Sequence, residues 1–132
     1  MNFESHATKD KLKEFRKFVS SSLKDLGLSD NDRDDLVFVC GEALLNIIKI
    51  SYAGGDDSKT MKIDIGKDTN KIILKFFDNG TKLVQEDLLN DPLNSLKESN
   101  LSNFFINEIM DEVILEETDN WINCIKLSKQ LS

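Results

Sequence analysis

The stretch VFVCGEALLNIIKI, residues 37–50, decides the fold. Apolar residues recur there at helical spacing on one face, which is made by Leu36, Cys40, Ala43, Ile47 and Ile50. A narrow polar strip, within about 60° around the helix axis, remains at Asp35, Glu42, Asn46 and Lys49. Polar groups buried without partners cost several kcal/mol, so this strip reaches solvent, pairs with itself or lines a pocket.

Composition limits the function classes. A chain of 132 residues is expected to form one domain, residues 1–132, with an ordinary core. The net charge of −7 argues against nucleic acid or an anionic membrane as the main partner. A basic protein or a magnesium-nucleotide remains possible.

The cysteine and histidine residues further limit the cellular compartment and the kinds of active site. Cys40 and Cys124 sit in apolar patterns without metal-ligand spacing, so a reduced, cytoplasmic protein is favoured. No signal peptide or long apolar run is recognisable. His6 is the single histidine, which excludes most histidine-based triads and metal sites.

Two helices are predicted before the first strands. The first runs from a cap at Thr8 to about Leu26 and ends at Gly27. Ser29 and Asp30 cap the central helix, which stops near residues 51–52. A short edge strand before Lys9 is weakly indicated.

Strand patterns follow the central helix. Residues 61–65 and 71–77 predict two strands joined by a hairpin loop at 66–70. Polar residues 81–100, broken at Asp91-Pro92, predict a functional or partly disordered loop. A helix at 101–110 and strands at 112–116 and 121–127 complete the chain. The order predicts an α+β two-layer sandwich, with helices on one face of a mixed, mostly antiparallel sheet.

Three aromatic residues near the end also carry expectations. Phe104 and Phe105 have spacings suited to a core face of the third helix, together with Ile109. Trp121 is expected to cap the last hairpin or to pack on the sheet.

Several motifs occur in a characteristic order. Glu42-Ala43-Leu44-Leu45-Asn46 lies on a helix, Asp78-Asn79-Gly80 ends a strand, and Ile109-Met110-Asp111-Glu112-Val113 follows near the end. Each motif is weak alone. In this order and spacing, and with the first helix, the chain resembles the histidine-kinase-like (GHKL, Bergerat) ATPase superfamily. It looks most like the small bacterial anti-sigma-factor serine kinases of the RsbW type.

The resemblance assigns roles to individual residues. It makes Glu42 the base for the attacking serine hydroxyl, and Asn46 the magnesium ligand. Asp78 would accept a hydrogen bond from the adenine amino group, Gly80 would let the backbone approach the ring, and Lys49 would meet the phosphates. Asp78-Asn79-Gly80 is equally a good turn sequence, and Lys49 could be an ordinary solvated lysine.

The phosphate half of the site departs from the family pattern. The family's lid glycines fall on Asn100 and Ser102, and no glycine follows Gly80. Lys97 is the only basic residue between Lys82 and Lys126. ATP and Mg²⁺ are the cofactors that the resemblance implies, with their phosphate contacts weakened.

Two functions therefore compete. The first is an ATP-dependent serine kinase that binds a sigma factor and phosphorylates an anti-anti-sigma partner, as a homodimer and without nucleic-acid or membrane contacts. The second is a catalytically weakened or nucleotide-free protein-binding switch on the same fold. A more remote alternative is an ordinary α+β domain with coincidental motifs.

Overall fold

A computed structural model describes residues 1–88 and 98–132, and for residues 98–100 only the backbone. Three helices are α1 (Leu12–Asp25), α2 (Asp30–Asn46) and α3 (Glu98–Ile109). The strands are β1 (Asn2–Ala7), β2 (Asp56–Asp68), β3 (Lys71–Asp78), β4 (Glu112–Glu116) and β5 (Asn123–Gln130). Short 3₁₀ turns lie at Lys9–Lys11 and Gln85–Leu88.

The predicted boundaries of α2 are confirmed. The Ser29 side chain accepts a hydrogen bond from the backbone N–H of Asp32 at 3.2 Å, as an N-cap does. Gly27, with φ of +77°, ends the preceding helix in a conformation that favours glycine. Beyond Asn46 the helix widens into a π-helical turn, Ile47–Ser51, and ends before Tyr52. Such turns are rare and frequent at functional sites.

The sheet confirms the α+β sandwich. Its strand order is β1-β2-β3-β5-β4. All four pairings are antiparallel, so within the described residues the sheet is antiparallel rather than mixed. The weakly indicated N-terminal strand is real and forms one edge.

The hairpin between β2 and β3 is tighter than predicted. Gly66, Lys67 and Asp68 continue β2 and pair with β3, so the turn contains only Thr69 and Asn70. Thr69 adopts a φ of +55°, which closes the turn. The sequence pattern did not predict this extension, because residues 66–68 include no large apolar side chain. Strand pairing through backbone hydrogen bonds does not require one.

The last strand is displaced from its predicted position. β5 begins at Asn123 rather than Trp121 and continues to Gln130. Trp121 instead precedes the strand. It packs on Phe77 of β3, with ring centroids 5.9 Å apart, which agrees with the predicted packing on the sheet. Lys62 lies over both rings.

The helices cover one face of the sheet and enclose the core. Its largest fully buried side chains include Phe15, Leu23, Leu36, Leu44, Ile63, Ile72, Leu74 and Phe76. The prediction that Phe104 and Phe105 belong to this core is wrong, since both are exposed. α3 instead buries Ser102 and Ile106, and Ile109 packs partly against the core. Helical spacing groups residues on one face without revealing which face is covered.

Candidate functional site

Glu42 and Ser102 meet across two helices. The Ser102 hydroxyl of α3 donates a hydrogen bond of 2.6 Å to Oε2 of Glu42 on α2. Ser102 is buried and Glu42 is half-buried. The structure thus brings together the predicted base and one predicted lid residue. Asn100 lies in the first turn of α3, and its side chain is outside the described residues.

A cavity of about 300 Å³ opens beside Asn46. Its walls come from α2, α3, the sheet and residues 81–88, and most of the lining side chains are apolar. The polar members are Asn46, Ser51, Thr81, Lys82, Asp87 and Asn103. A largely apolar cleft with a few convergent polar groups is typical of a small-molecule site. Among the predicted site residues whose side chains the structure describes, Asn46 is therefore the one that lines this cavity.

Asp78 is fully buried at the end of β3. Its Oδ1 accepts hydrogen bonds from the Asn123 side-chain amide at 2.9 Å and from the Gly80 backbone N–H at 3.0 Å. Its Oδ2 is buried without a hydrogen-bond partner among the described residues. Burial raises the pKa of this carboxyl group, and the hydrogen bonds from Asn123 and Gly80, together with the nearby Ser51 side chain, counteract part of the rise. A buried acceptor without a donor suits a ligand N–H group.

Gly80 makes a close backbone approach within the protein itself. A Cβ at this position would lie 2.2 Å from the carbonyl oxygen of Ser51. The same carbonyl accepts a hydrogen bond of 3.0 Å from the Thr81 backbone N–H. Gly80 is thus required for docking the strand end on the π-helical turn. Its predicted role toward an adenine ring stays a prediction.

Asp78 stands beside the cavity rather than in its wall. Ser51 and Thr81, which are joined by a backbone hydrogen bond, line the cavity, whereas Asp78 and Gly80 do not. Glu42 and Lys49 are also outside the lining set. The cavity and the Asp78 carboxyl group are therefore neighbours, separated by the contact between Ser51 and Thr81.

Asn123 is a site residue that the sequence analysis missed. Its fully buried side chain donates to Oδ1 of Asp78 and, at 2.8 Å, to the Thr81 carbonyl oxygen. It also accepts a hydrogen bond of 2.9 Å from the Leu83 backbone N–H. The residue fixes both the carboxyl group and the chain that borders the cavity. Only the register of β3 and β5, in which Asp78 and Asn123 are partners, could have identified it.

A second missed residue is Tyr52. Its hydroxyl donates to the Thr60 carbonyl oxygen and accepts from the Asn79 backbone N–H, both at 2.7 Å. These bonds connect the end of the π-helical turn to β2 and to the Asp78 segment. The lone tyrosine carried no motif that would have revealed this contact.

The residues fit the adenine end of a nucleotide better than its phosphates. Oδ2 of Asp78 offers an acceptor, and Asn46 offers one oxygen to Mg²⁺, which retains several waters in most sites. No group of three metal-ligating His, Cys, Asp or Glu side chains occurs in the described ranges. α3 contains no lysine or arginine. Lys49 lies in the π-helical turn after Asn46.

Solved structures of similar fold include histidine kinase domains. One is the histidine kinase domain of the blue-light activated histidine kinase EL346 from Erythrobacter litoralis, with 10% identity and a TM-score of 0.55. That match covers 91% of this chain and 61% of the other, so this chain spans less than two thirds of that relative. Another is the nucleotide-free catalytic domain of the histidine kinase ThkA, with 13% identity and a TM-score of 0.53. It covers 99% of this chain and 96% of the other.

No helix in the described ranges is long and apolar enough to cross a membrane.

The family of the chain is identified by a family model. A search of curated protein sequences finds no match. The family model for the histidine kinase-like ATPase domain matches residues 5–129. Because this match spans nearly the whole chain, the protein belongs to the histidine kinase-like ATPase domain family.

Proposed function

We propose that the protein binds an adenine nucleotide in the cavity beside Asn46. The observation that carries this proposal is Oδ2 of Asp78, a buried acceptor behind the Ser51–Thr81 contact in the cavity wall, which an adenine amino group would reach when that contact opens. The apolar walls formed by Ala43, Ile47 and Ile106 suit a planar base. Domains of this family bind ATP, usually with Mg²⁺.

The finer proposal concerns the reaction and the partners. A bound nucleotide with Mg²⁺ would supply the phosphoryl group. Asn46 would offer the metal an oxygen ligand, and Glu42 would accept the proton from the serine hydroxyl of a partner protein. From the resemblance to anti-sigma-factor kinases, we propose an anti-anti-sigma factor as that partner. A sigma factor would be the second partner, and the protein would act as a homodimer.

The alternative is a protein-binding switch without catalysis. The observation that favours it is the 2.6 Å hydrogen bond by which Ser102 already occupies the Glu42 carboxylate. That bond orients the carboxylate toward α3 and engages Oε2, so that only Oε1 is left for the proton of a substrate hydroxyl. The absence of basic residues from α3 points the same way, because phosphate groups there would lack a cation.

Calorimetry with Mg-ATP and Mg-ADP tests nucleotide binding. We expect micromolar dissociation constants, weakened at least tenfold by Asp78→Asn, because an amide Nδ2 cannot accept a hydrogen bond. Asp57→Asn, at an exposed position of β2, is the matched control and should bind normally. An absence of binding at millimolar nucleotide would reject the proposal.

Turnover then distinguishes the kinase from the switch. Release of ADP from ATP, with water as the phosphoryl acceptor in place of the partner's serine, is measured on the wild type and on Glu42→Gln. A rate that this substitution lowers by about 100-fold, within the usual range for loss of a general base, supports the kinase. Nucleotide binding together with a rate of ADP release that Glu42→Gln leaves unchanged supports the protein-binding switch.

A further inference from the structure

An exposed aromatic cluster joins the outer faces of α2 and α3. Phe38 of α2 and Phe105 of α3 have ring centroids 5.6 Å apart in an edge-on arrangement. Phe104 makes a second edge-on contact with Phe105, also at 5.6 Å. The exposed fractions are 43% for Phe38, 40% for Phe104 and 36% for Phe105. Leu101, one turn before Phe105 on α3, is 50% exposed.

This group of four, the α2–α3 apolar patch, differs from scattered surface residues. Single exposed apolar side chains are normal, but contiguous ones mark interaction sites in soluble proteins. Aromatic side chains are also the anchors that contribute most to protein–protein binding. None of the four lines the cavity, so nucleotide binding does not explain them.

Acidic residues border the patch. Asp34 and Asp35 precede Phe38 by four and three residues, and Glu108 follows Phe104 by four, so helical spacing places each beside an aromatic residue. All three are exposed. Arg33, the only basic residue within α2, is bound to Asp30 at 3.0 Å, and α3 has none. The described residues of α2 and α3 therefore give the apolar patch a negative rim, and Arg16 of α1, which lies against Gly41 of α2, is a cation one turn from Phe38.

We propose that the α2–α3 apolar patch docks a basic amphipathic helix of a partner protein. Apolar side chains of that helix would cover the phenylalanines, while its lysines and arginines would meet the acidic rim. A second copy of this chain fits less well, because the same acidic rim would face itself in a two-fold contact. Phe38 precedes Glu42 by one helical turn, so the docked helix lies next to the candidate site.

A synthetic peptide tests the chemistry of the partner. The probe is an 18-residue Leu/Lys peptide with amphipathic helical spacing, labelled for fluorescence anisotropy. The controls are a scrambled Leu/Lys peptide and a Leu/Glu peptide of the same spacing. We expect the amphipathic basic peptide to bind at least tenfold more tightly than either control.

Matched variants locate the binding surface. Phe38→Ser with Phe105→Ser should weaken peptide binding at least tenfold, whereas Ile114→Ser, at an equally exposed position on the sheet, should not. The double variant Asp34→Lys/Asp35→Lys should also weaken peptide binding. It provides an independent test if the double aromatic variant does not fold. Asp57→Lys is the control for charge.

Two results would overturn the proposal. One is peptide binding that is equal in the wild type and in both double variants. The other is concentration-dependent self-association in sedimentation experiments that the aromatic substitutions abolish, which would assign the patch to a contact between copies of this chain.

Discussion

At the scale of single residues, Asp78 connects the proposed nucleotide binding to the stability of the fold. Burial raises its pKa above the ordinary value of 3.8, so the folded state disfavours the charged form. The favourable contribution of this group is complete below the unfolded pKa and is lost as pH rises through the folded pKa. Asp78→Asn does not titrate and cannot lose stability in this way.

We therefore expect the stability of Asp78→Asn relative to wild type to improve as the pH rises above the ordinary carboxyl pKa of 3.8. Urea unfolding at several pH values measures the difference. Asp57→Asn, which removes an exposed charge, should show a much smaller trend. A difference for Asp78→Asn that is constant with pH would contradict the assignment of a buried, destabilised carboxylate.

The Glu42–Ser102 hydrogen bond is a second feature that one substitution can test. Ser102→Ala should lower the free energy of unfolding by about 1–2 kcal/mol, because a buried hydrogen bond to a carboxylate is lost. Ser20→Ala is a matched control, since Ser20 lies exposed on α1 and gains the same helix propensity. Equal changes in the two variants, measured by chemical denaturation, would show that the bond contributes nothing.

At the scale of elements, sequence patterns correctly predicted helix ends, because residues close together in the chain determine them. Ser29 and Gly27 define helix ends through backbone hydrogen bonds and φ, and both positions were predicted correctly. The exposure of Phe105 was not predictable, because it depends on which face of α3 meets α2. The role of Asn123 depends on strand register, which the order of elements along the chain does not determine.

The contact between the π-helical turn and the end of β3 is an element-scale feature with a sharp test. Gly80→Ala should destabilise the fold by about 3 kcal/mol or more, because the new Cβ would meet the Ser51 backbone at 2.2 Å. Gly66→Ala is the matched control, since a Cβ there has no heavy atom within 4 Å and should be neutral or mildly stabilising. Thermal unfolding of both variants measures the difference. Similar midpoints would contradict close packing of Gly80 against the Ser51 backbone.

At the scale of the whole molecule, charge opposes the proposed ligand. The chain carries −7 formal charges and the cavity has few cations near it, whereas Mg-ATP is itself an anion. Fold membership cannot resolve this conflict, because histidine kinase-like domains share the scaffold while function depends on the site. The apolar walls and the Asp78 acceptor must then supply most of the binding free energy.

A salt titration measures that balance. Most nucleotide sites hold phosphates with cations, so their affinity falls when salt screens the attraction. Here like-charge repulsion dominates, and we expect Mg-ATP affinity to stay constant or to rise between roughly 20 mM and 300 mM salt. Adenosine, which is uncharged, should bind within about tenfold of ATP and show no salt dependence. An affinity for Mg-ATP that falls steeply with salt while that for adenosine does not would mean that cations such as Lys49 or Lys82 hold the phosphates. The kinase would then be favoured over the protein-binding switch.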